Sequence, residues 1–174
     1  MYYTKLKSYS YNNKEPKKIS VDEYINILSN SDDSDICYLE VLKCNTVKIF
    51  FDLDKLSSAS DFENKFRKIK LEFENKFKIE VNKFAITKNI KSYSYHIYFP
   101  EYRTTKDKLK KFVESIRQDI PELDQIYTKN RLFRSVNQPK PTQLGIVDKS
   151  DKHILIEGTI KDTIIQDTKG TILL

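Results

Sequence analysis

An apolar run that closes with two aspartates occupies residues 46–54, with the sequence TVKIFFDLD. Its β-branched and aromatic residues predict a strand over residues 46–53. Because side chains alternate across a strand, Asp52 and Asp54 are expected to point to the same side at its end. Two carboxylates so placed repel each other, and a divalent cation such as Mg²⁺ or Mn²⁺ would offset that repulsion. The alternative is a polar strand end that simply turns into a loop.

Hydrophobic periodicity on both sides of this run predicts three helices. Residues 20–23 (SVDE) form a capping box that opens a short helix to about Leu28, and residues 60–63 (SDFE) form a second one. An aromatic stripe at helical spacing then marks the strongest helix of the chain; its members are Phe62, Phe66, Ile69, Phe73 and Phe77. The last helix carries Leu109, Phe112, Val113 and Ile116 and stops before Pro121.

Further strands are predicted at 36–42, 79–87, 92–99, 141–147, 152–156 and 162–166. An acidic polar connection at 29–35 separates the first helix from the first of these strands. The order of helices and strands favours an α/β chain, with a mixed or antiparallel sheet that helices cover on one face.

The composition excludes several classes of protein. With 174 residues, 39% of them hydrophobic, the chain is long enough for one domain with a substantial core. It has no apolar stretch of membrane-spanning length and no signal peptide, so its two cysteines are expected to be free thiols in a reducing compartment. Its three glycines form no phosphate-binding loop motif. The formal net charge of +6 favours a polyanionic partner.

A second polar pair lies in the segment SYSYHIYF at residues 92–99, where Ser94 and His96 share a face of the predicted strand. A hydroxyl and an imidazole that project together suit a phosphate group, with Lys83, Lys88 and Lys91 nearby in sequence. A lone histidine, however, is more often structural than functional.

A third segment begins at Asp124, which follows an apolar residue as Asp52 does. Arg131, Arg134 and Lys140 come next, and arginine is infrequent in this lysine-rich chain. Two arginines three residues apart suggest a need for bidentate donors, which lysine cannot supply. One acid followed by three cations could place a third metal ligand beside a polyphosphate clamp, although each cation alone is typical of a solvated surface.

Together these three segments resemble the motifs of the archaeo-eukaryotic primase superfamily, over roughly residues 36–166. The first motif, an apolar strand ending in D-x-D or D-x-E, is matched at 50–54; the second, S-x-H, at 94–96; and the third, an apolar residue followed by Asp, at 123–124. One branch, which contains the primase–helicases of large nucleocytoplasmic DNA viruses and PrimPol-like enzymes, is similar in a longer pattern: Asp124, Tyr127, Asn130, Arg131, Arg134 and Lys140.

The resemblance implies a fold and a place in the cell. It implies one primase/polymerase catalytic domain over residues 1–174, with N-terminal α/β module elements in about 1–45 and a core like an RNA-recognition fold in about 46–174. It further implies the N-terminal part of a longer primase–helicase, with a helicase of the AAA+ type in the same or a partner chain. The protein would act inside a host cell, at a site of viral DNA replication.

The resemblance also implies an activity, that of a DNA primase or primase–polymerase. Such a nucleotidyltransferase uses two divalent metal ions, Mg²⁺ or Mn²⁺, to join nucleoside triphosphates (NTP or dNTP) on a single-stranded DNA template. Catalysis and metal binding would fall to Asp52, Asp54 and Asp124. Binding of the triphosphate would fall to Ser94, His96, Arg131, Arg134 and Lys140.

Two departures from the superfamily pattern stand out. PrimPol enzymes carry a lysine two residues before the serine of the second motif, where this chain has Ser92, and the sequence has no Cys/His cluster for a zinc module. Two other functions remain open from the residues alone. A non-catalytic nucleic-acid-binding module would explain the basic charge but not the acids at strand ends. A metal-dependent nuclease would need the acids but has less use for a triphosphate clamp.

Overall fold

The computed structural model describes residues 1–6, 16–31, 35–125, 127, 131–142 and 146–174. Parts of two predictions, residues 32–34 of the acidic connection and 143–145 of the 141–147 strand, lie outside these ranges, as does Asn130. The elements are, in chain order, β1 (Tyr2–Leu6), β2 (Lys17–Lys18), α1 (Val21–Ser29), β3 (Cys37–Leu42), β4 (Thr46–Leu53), α2 (Ala59–Phe77), β5 (Ala85–Asn89), β6 (Tyr95–Thr105), α3 (Lys106–Ile116), β7 (Arg131–Arg134), β8 (Lys140–Pro141), β9 (Val147–Asp148), β10 (His153–Glu157), a 3₁₀ helix (Ile160–Thr163) and β11 (Thr171–Ile172).

Two sheets form the framework. The first has the strand order β2-β1-β3-β7, and all of its neighbours are antiparallel. In the second, β10, β5 and β6 are successive antiparallel neighbours, β4 pairs along β6, and β11 adds a parallel pair to β6. The predicted class, α and β elements with mixed and antiparallel sheets, is therefore confirmed.

Strand β4 is buried on both faces. On one face, the Phe51 ring lies 6.0 Å from that of Phe73 on α2 and 5.9 Å from that of Phe112 on α3. On the other, the Phe50 ring lies 5.2 Å from those of Phe133 on β7 and of Tyr127. Helices α2 and α3 thus cover one face of β4, while the opposite face meets the first sheet. No helix in the described ranges is both long and apolar enough to cross a membrane.

The predicted start of α2 is wrong by two residues. The helix begins at Ala59, and its N-cap is Ser58, whose hydroxyl accepts the backbone N–H of Asp61 at 3.0 Å. The Asp61 carboxylate in turn accepts the N–H of Ser57. Ser60 therefore lies inside the first turn and caps nothing.

Four strand predictions differ from the structure by more than one residue. The segment predicted at 92–99 forms a strand only from Tyr95, and the prediction at 141–147 falls on two short strands, Lys140–Pro141 and Val147–Asp148, that pair antiparallel.

The other two strand predictions that differ are those at 79–87 and 162–166. Residues 79–84 are irregular, because Lys78 adopts a left-handed conformation that ends α2 and the Glu74 side chain accepts the N–H of Val81. The predicted strand at 162–166 overlaps a 3₁₀ helix instead, because Thr159 and Asp162 cap each other reciprocally. In the segments 79–84 and 162–166, the prediction of a strand rested on apolar residues, which pack against the core without forming one.

Candidate functional site

The end of β4 is joined to a segment that is distant in sequence. The backbone N–H of Asp54 donates to the carbonyl of Glu122 at 3.0 Å, and that of Asp124 donates to the carbonyl of Asp52 at 2.9 Å. This short antiparallel pairing places Asp124 beside Asp52, on β4, and Asp54, which directly follows that strand. One carboxylate oxygen from each of the three lies within 4.8 Å of the others.

Side chains from other elements hold this segment in place. Lys65 on α2 contacts Glu122 and lies 3.2 Å from Asp61. On the other side, the Tyr127 hydroxyl donates to the carbonyl of Phe50 at 2.8 Å. The position of Asp124 therefore depends on both α2 and β4.

The electrostatics of Asp52 fit a cation site. Its side chain is only 13% exposed, and its buried Oδ1 has no hydrogen-bond partner among the residues that the structure describes. Burial, followed by the charges of Asp54 and Asp124, raises the pKa of Asp52 well above its usual range, although Arg131 and Arg134 oppose the shift. A divalent cation would satisfy the free oxygen and remove the mutual repulsion, so these three carboxylates could hold a metal ion.

His96 lies on β6 directly opposite Asp52 in the strand register. Its Nε2 is 3.6 Å from Asp52 Oδ1, its Nδ1 is 3.3 Å from the Tyr98 hydroxyl, and its ring stacks on that of His153 with centroids 3.7 Å apart. Burial, then the charges of His153 and Arg134, lower the pKa of His96 well below its usual range, so the ring is neutral. A tautomer with its hydrogen on Nε2 lets Tyr98 donate to Nδ1 and leaves an N–H donor facing Asp52.

All of the site residues predicted from the sequence line one cavity of about 290 Å³. They are Asp52, Asp54, Ser94, His96, Asp124, Arg131, Arg134 and Lys140. The hairpin between β5 and β6 brings Ser92 and Ser94 to this cavity, where their hydroxyls are 3.3 Å apart. The predicted metal ligands and the predicted phosphate-binding cations thus line the same cavity, although they come from separate segments of the chain.

The three lysines near the second motif are engaged elsewhere. Lys83 pairs with Asp162 at 2.7 Å, Lys91 pairs with Asp148 at 3.0 Å, and the Lys88 ammonium lies 5.3 Å from the centre of the Tyr93 ring. None of the three is among the residues described around the cavity. Their proximity in sequence to Ser94 was therefore a misleading signal.

Six residues that line the cavity were not predicted as site residues from the sequence: Asn89, Ser92, Leu132, Phe133, Asp151 and His153. His153 is one of only two histidines in the chain and begins a strand, which is a signal that could have found it. Asp151 follows a turn among other polar residues and carries no recognisable pattern. Its carboxylate reaches the cavity only because β10 pairs with β5.

Asp151 is nevertheless the main partner of the predicted clamp. Arg134 donates through Nη1 to the Asp151 carbonyl at 2.7 Å and through Nη2 to its carboxylate at 3.2 Å. The Lys140 ammonium lies 3.6 Å from the same carboxylate. Arg131 is different, because it lies 3.9 Å from the Asp124 carboxylate and its side chain is 46% exposed.

Comparisons with known proteins add no relative to this description. A scan against models of protein families matched none of them, and a search of curated proteins returned no match. Function is therefore argued from the geometry of the cavity and the motifs that line it.

Proposed function

We propose that this chain catalyses DNA-templated nucleotidyl transfer, as a primase or primer-extending polymerase of the archaeo-eukaryotic primase type. The observation that carries the proposal is the convergence of Asp52, Asp54 and Asp124 with Arg131, Arg134 and Lys140 on one cavity. Clustered carboxylates suit divalent cations, and clustered cations suit a polyphosphate. A nucleoside triphosphate bound with such cations requires both.

We propose Mg²⁺ or Mn²⁺ as the cofactor, because carboxylate oxygens are the ligands these hard cations prefer. When bound, the cation supplies charge stabilisation to the oxygens of the reacting phosphate. The contribution of the chain is to hold one carboxylate oxygen of each of Asp52, Asp54 and Asp124 within 4.8 Å of the others. Asp52 must also lose any proton it retains before its oxygens can serve as ligands.

The remaining cavity residues would bind the triphosphate. The Arg134 guanidinium can donate two parallel hydrogen bonds to one phosphate, while Lys140 and Arg131 add charge. The Nε2–H of a neutral His96 and the Ser94 hydroxyl would donate to further phosphate oxygens. In the reaction, a 3′-hydroxyl attacks the α-phosphorus and pyrophosphate leaves, so donors fixed around the phosphates stabilise the charge that develops.

We further propose a single-stranded DNA template and ribo- or deoxyribonucleoside triphosphates as substrates. The net charge of +6 supports a partner with a phosphate backbone. A helicase of the AAA+ type, in the same or a partner chain, and action at an intracellular site of viral replication extend the proposal on the strength of the motif resemblance alone.

The test is primer extension and primer synthesis on single-stranded DNA by Asp52→Asn and Asp124→Asn. Each change keeps the shape of the side chain but removes a charge, and we expect at least about a 100-fold loss of incorporation. Asp107→Asn is the matched control, because this carboxylate is 70% exposed on α3, pairs with Lys111 and is not among the residues that line the cavity in the described structure. A folded Asp52→Asn protein that extends primers normally would refute the proposal.

The same reagents separate the two competing functions. A nuclease would shorten labelled DNA without nucleotides, in a manner that depends on Asp52. A non-catalytic binding module would bind DNA equally well in wild type and Asp52→Asn and would incorporate nothing.

A further inference from the structure

One of the side chains that line the cavity, Asp151, is an acid that pairs with the predicted phosphate-binding cations. The Asp151 carboxylate accepts the Asn89 side-chain N–H at 2.7 Å and that of Arg134 at 3.2 Å, and it lies 3.6 Å from Lys140. Its side chain is 15% exposed, as against 17% for Arg134, so the contact is largely shielded from solvent. Two of the cations assigned to the polyphosphate are thus already paired.

The Asp151 carboxylate is ionised at neutral pH. Burial raises the pKa of this carboxyl, but the hydrogen bond from Asn89 and the charges of Arg134 and Lys140 outweigh it, so the net shift is downward. A carboxylate and a phosphate both offer two oxygens to a guanidinium. The oxygens of Asp151 therefore occupy donors that a phosphate would use.

We propose that Asp151 is a built-in competing anion, which a polyphosphate must displace from Arg134 and Lys140 in order to bind. This proposal rests on the assignment of the cavity to a triphosphate and deepens it, since it names the residue that sets affinity. A ligand with several negative charges is attracted to the two cations strongly enough to displace one carboxylate, whereas the electrostatic attraction of a singly charged ligand is weaker. Asp151 would therefore favour triphosphates over simpler anions.

The geometry keeps Arg134 aimed at the cavity while the carboxylate leaves. Arg134 Nη1 donates to the backbone carbonyl of Asp151 at 2.7 Å, a contact that does not need the side chain. Asp151→Asn therefore removes the competing charge yet retains the backbone anchor and a side-chain oxygen of the same shape. Loss of the charge alone should strengthen anion binding.

The experiment measures binding of inorganic tripolyphosphate without metal, by calorimetry, to wild type and to Asp151→Asn. We expect Asp151→Asn to bind about tenfold more tightly, which corresponds to relief from one close opposing charge. Asp148→Asn is the matched control, because it removes an equal charge nearby from a carboxylate that pairs with Lys91. In an Arg134→Gln background the gain from Asp151→Asn should shrink, because only the competition for Lys140 remains, and a double-mutant cycle measures the difference.

An unchanged or weaker affinity of Asp151→Asn, or an equal gain from Asp148→Asn, would overturn the proposal. If the variant does not fold, a crystal structure of the wild type with tripolyphosphate tests the proposal. A distance of more than about 4 Å between the Asp151 carboxylate and Arg134 Nη2 would support the proposal, and a retained contact would overturn it. This outcome is independent of catalysis. Wild type that incorporates no nucleotide would refute the proposed function, while the affinity gain of Asp151→Asn would still be measurable.

Discussion

At the scale of single residues, burial favours the neutral forms of both an acid and its neighbouring base. The pKa of Asp52 is raised, and the pKa values of His96 and His153 are lowered, in each case with burial as the largest cause. His153 shows the effect most simply. Burial and the charge of Arg134 lower its pKa to about 3, against the opposing effect of Asp151.

This lowered pKa makes stability depend on acidity. An unfolded His153 takes up a proton near pH 6.5, whereas the folded one resists protonation down to about pH 3. The free energy of unfolding should therefore fall as the pH drops below about 6.5, by about 1.4 kcal/mol per pH unit from this residue. We expect His153→Phe, which keeps a ring against His96, to lose that slope in denaturant titrations between about pH 6 and 4.

Thr87→Val is the control, since it removes the hydroxyl that lies 3.2 Å from His153 Nδ1 without removing a titratable group. Glu40 contributes a slope of the opposite sign in all three proteins. Its buried carboxyl has its pKa raised to about 7, so the stability it contributes is greatest in acid and is lost as the pH rises through that value. An equal pH dependence in wild type and His153→Phe would contradict the prediction.

At the scale of elements, α2 links the core to the site. Its inner face buries Phe62, Phe66, Ile69 and Phe73, and its outer first turns carry Lys65, which holds the segment of Asp124 through Glu122. The helix must therefore begin at the correct residue for Lys65 to meet Glu122. Ser58 defines that beginning through its bond with the N–H of Asp61.

We predict that Ser58→Ala lowers the free energy of unfolding by about 1 kcal/mol, as is typical when an N-cap oxygen is lost. Ser60→Ala is a matched control two residues away, because Ser60 is exposed within the helix and alanine has the higher helix propensity. Thermal or urea unfolding of the two variants measures the difference. Destabilisation by Ser60→Ala without destabilisation by Ser58→Ala would place the cap at Ser60 and contradict the prediction.

At the scale of the whole molecule, the cluster of Asp52, Asp54 and Asp124 forms only in the complete fold. Asp52 lies on β4, Asp54 directly follows that strand, and Asp124 lies beyond α3, so their oxygens meet only when these segments pair. The unfolded chain does not contain this arrangement. A cation that binds the cluster must therefore stabilise the folded state by mass action.

We predict that Mn²⁺, with a nucleoside triphosphate, raises the melting temperature of the wild type. At about 100 times its dissociation constant, a ligand adds about 2.7 kcal/mol, or about 5–10 °C for a domain of this size. Because protonation of Asp52 competes with the cation and its pKa is raised, the increase should shrink from about pH 8 to about pH 5. Asp54→Asn should abolish the increase, while Asp107→Asn should retain it; an increase that survives Asp54→Asn would place the cation elsewhere.

Much of the local structure follows from the sequence. The strand at Thr46–Leu53, the capping box at Ser20 and the aromatic stripe of α2 were predictable, because period-two and helical patterns report which face of an element is buried. The candidate site residues could be chosen for the same kind of reason. Asp52 and Asp54, like Ser94 and His96, are separated by two positions, a spacing that places side chains on one face of an extended chain.

Only the tertiary structure decided which of these groups meet and what pairs with them. The pairing of Asp54 with Glu122 and of Asp124 with Asp52 joins acids from distant segments, and the pairing of β10 with β5 brings Asp151 and His153 into the same cavity. Local sequence patterns do not specify such partners, because the pairing of strands that are distant in sequence depends on burial across the whole core. The sequence thus determined the chemistry that each segment can offer, while the fold determined that Arg134 and Lys140 contact Asp151.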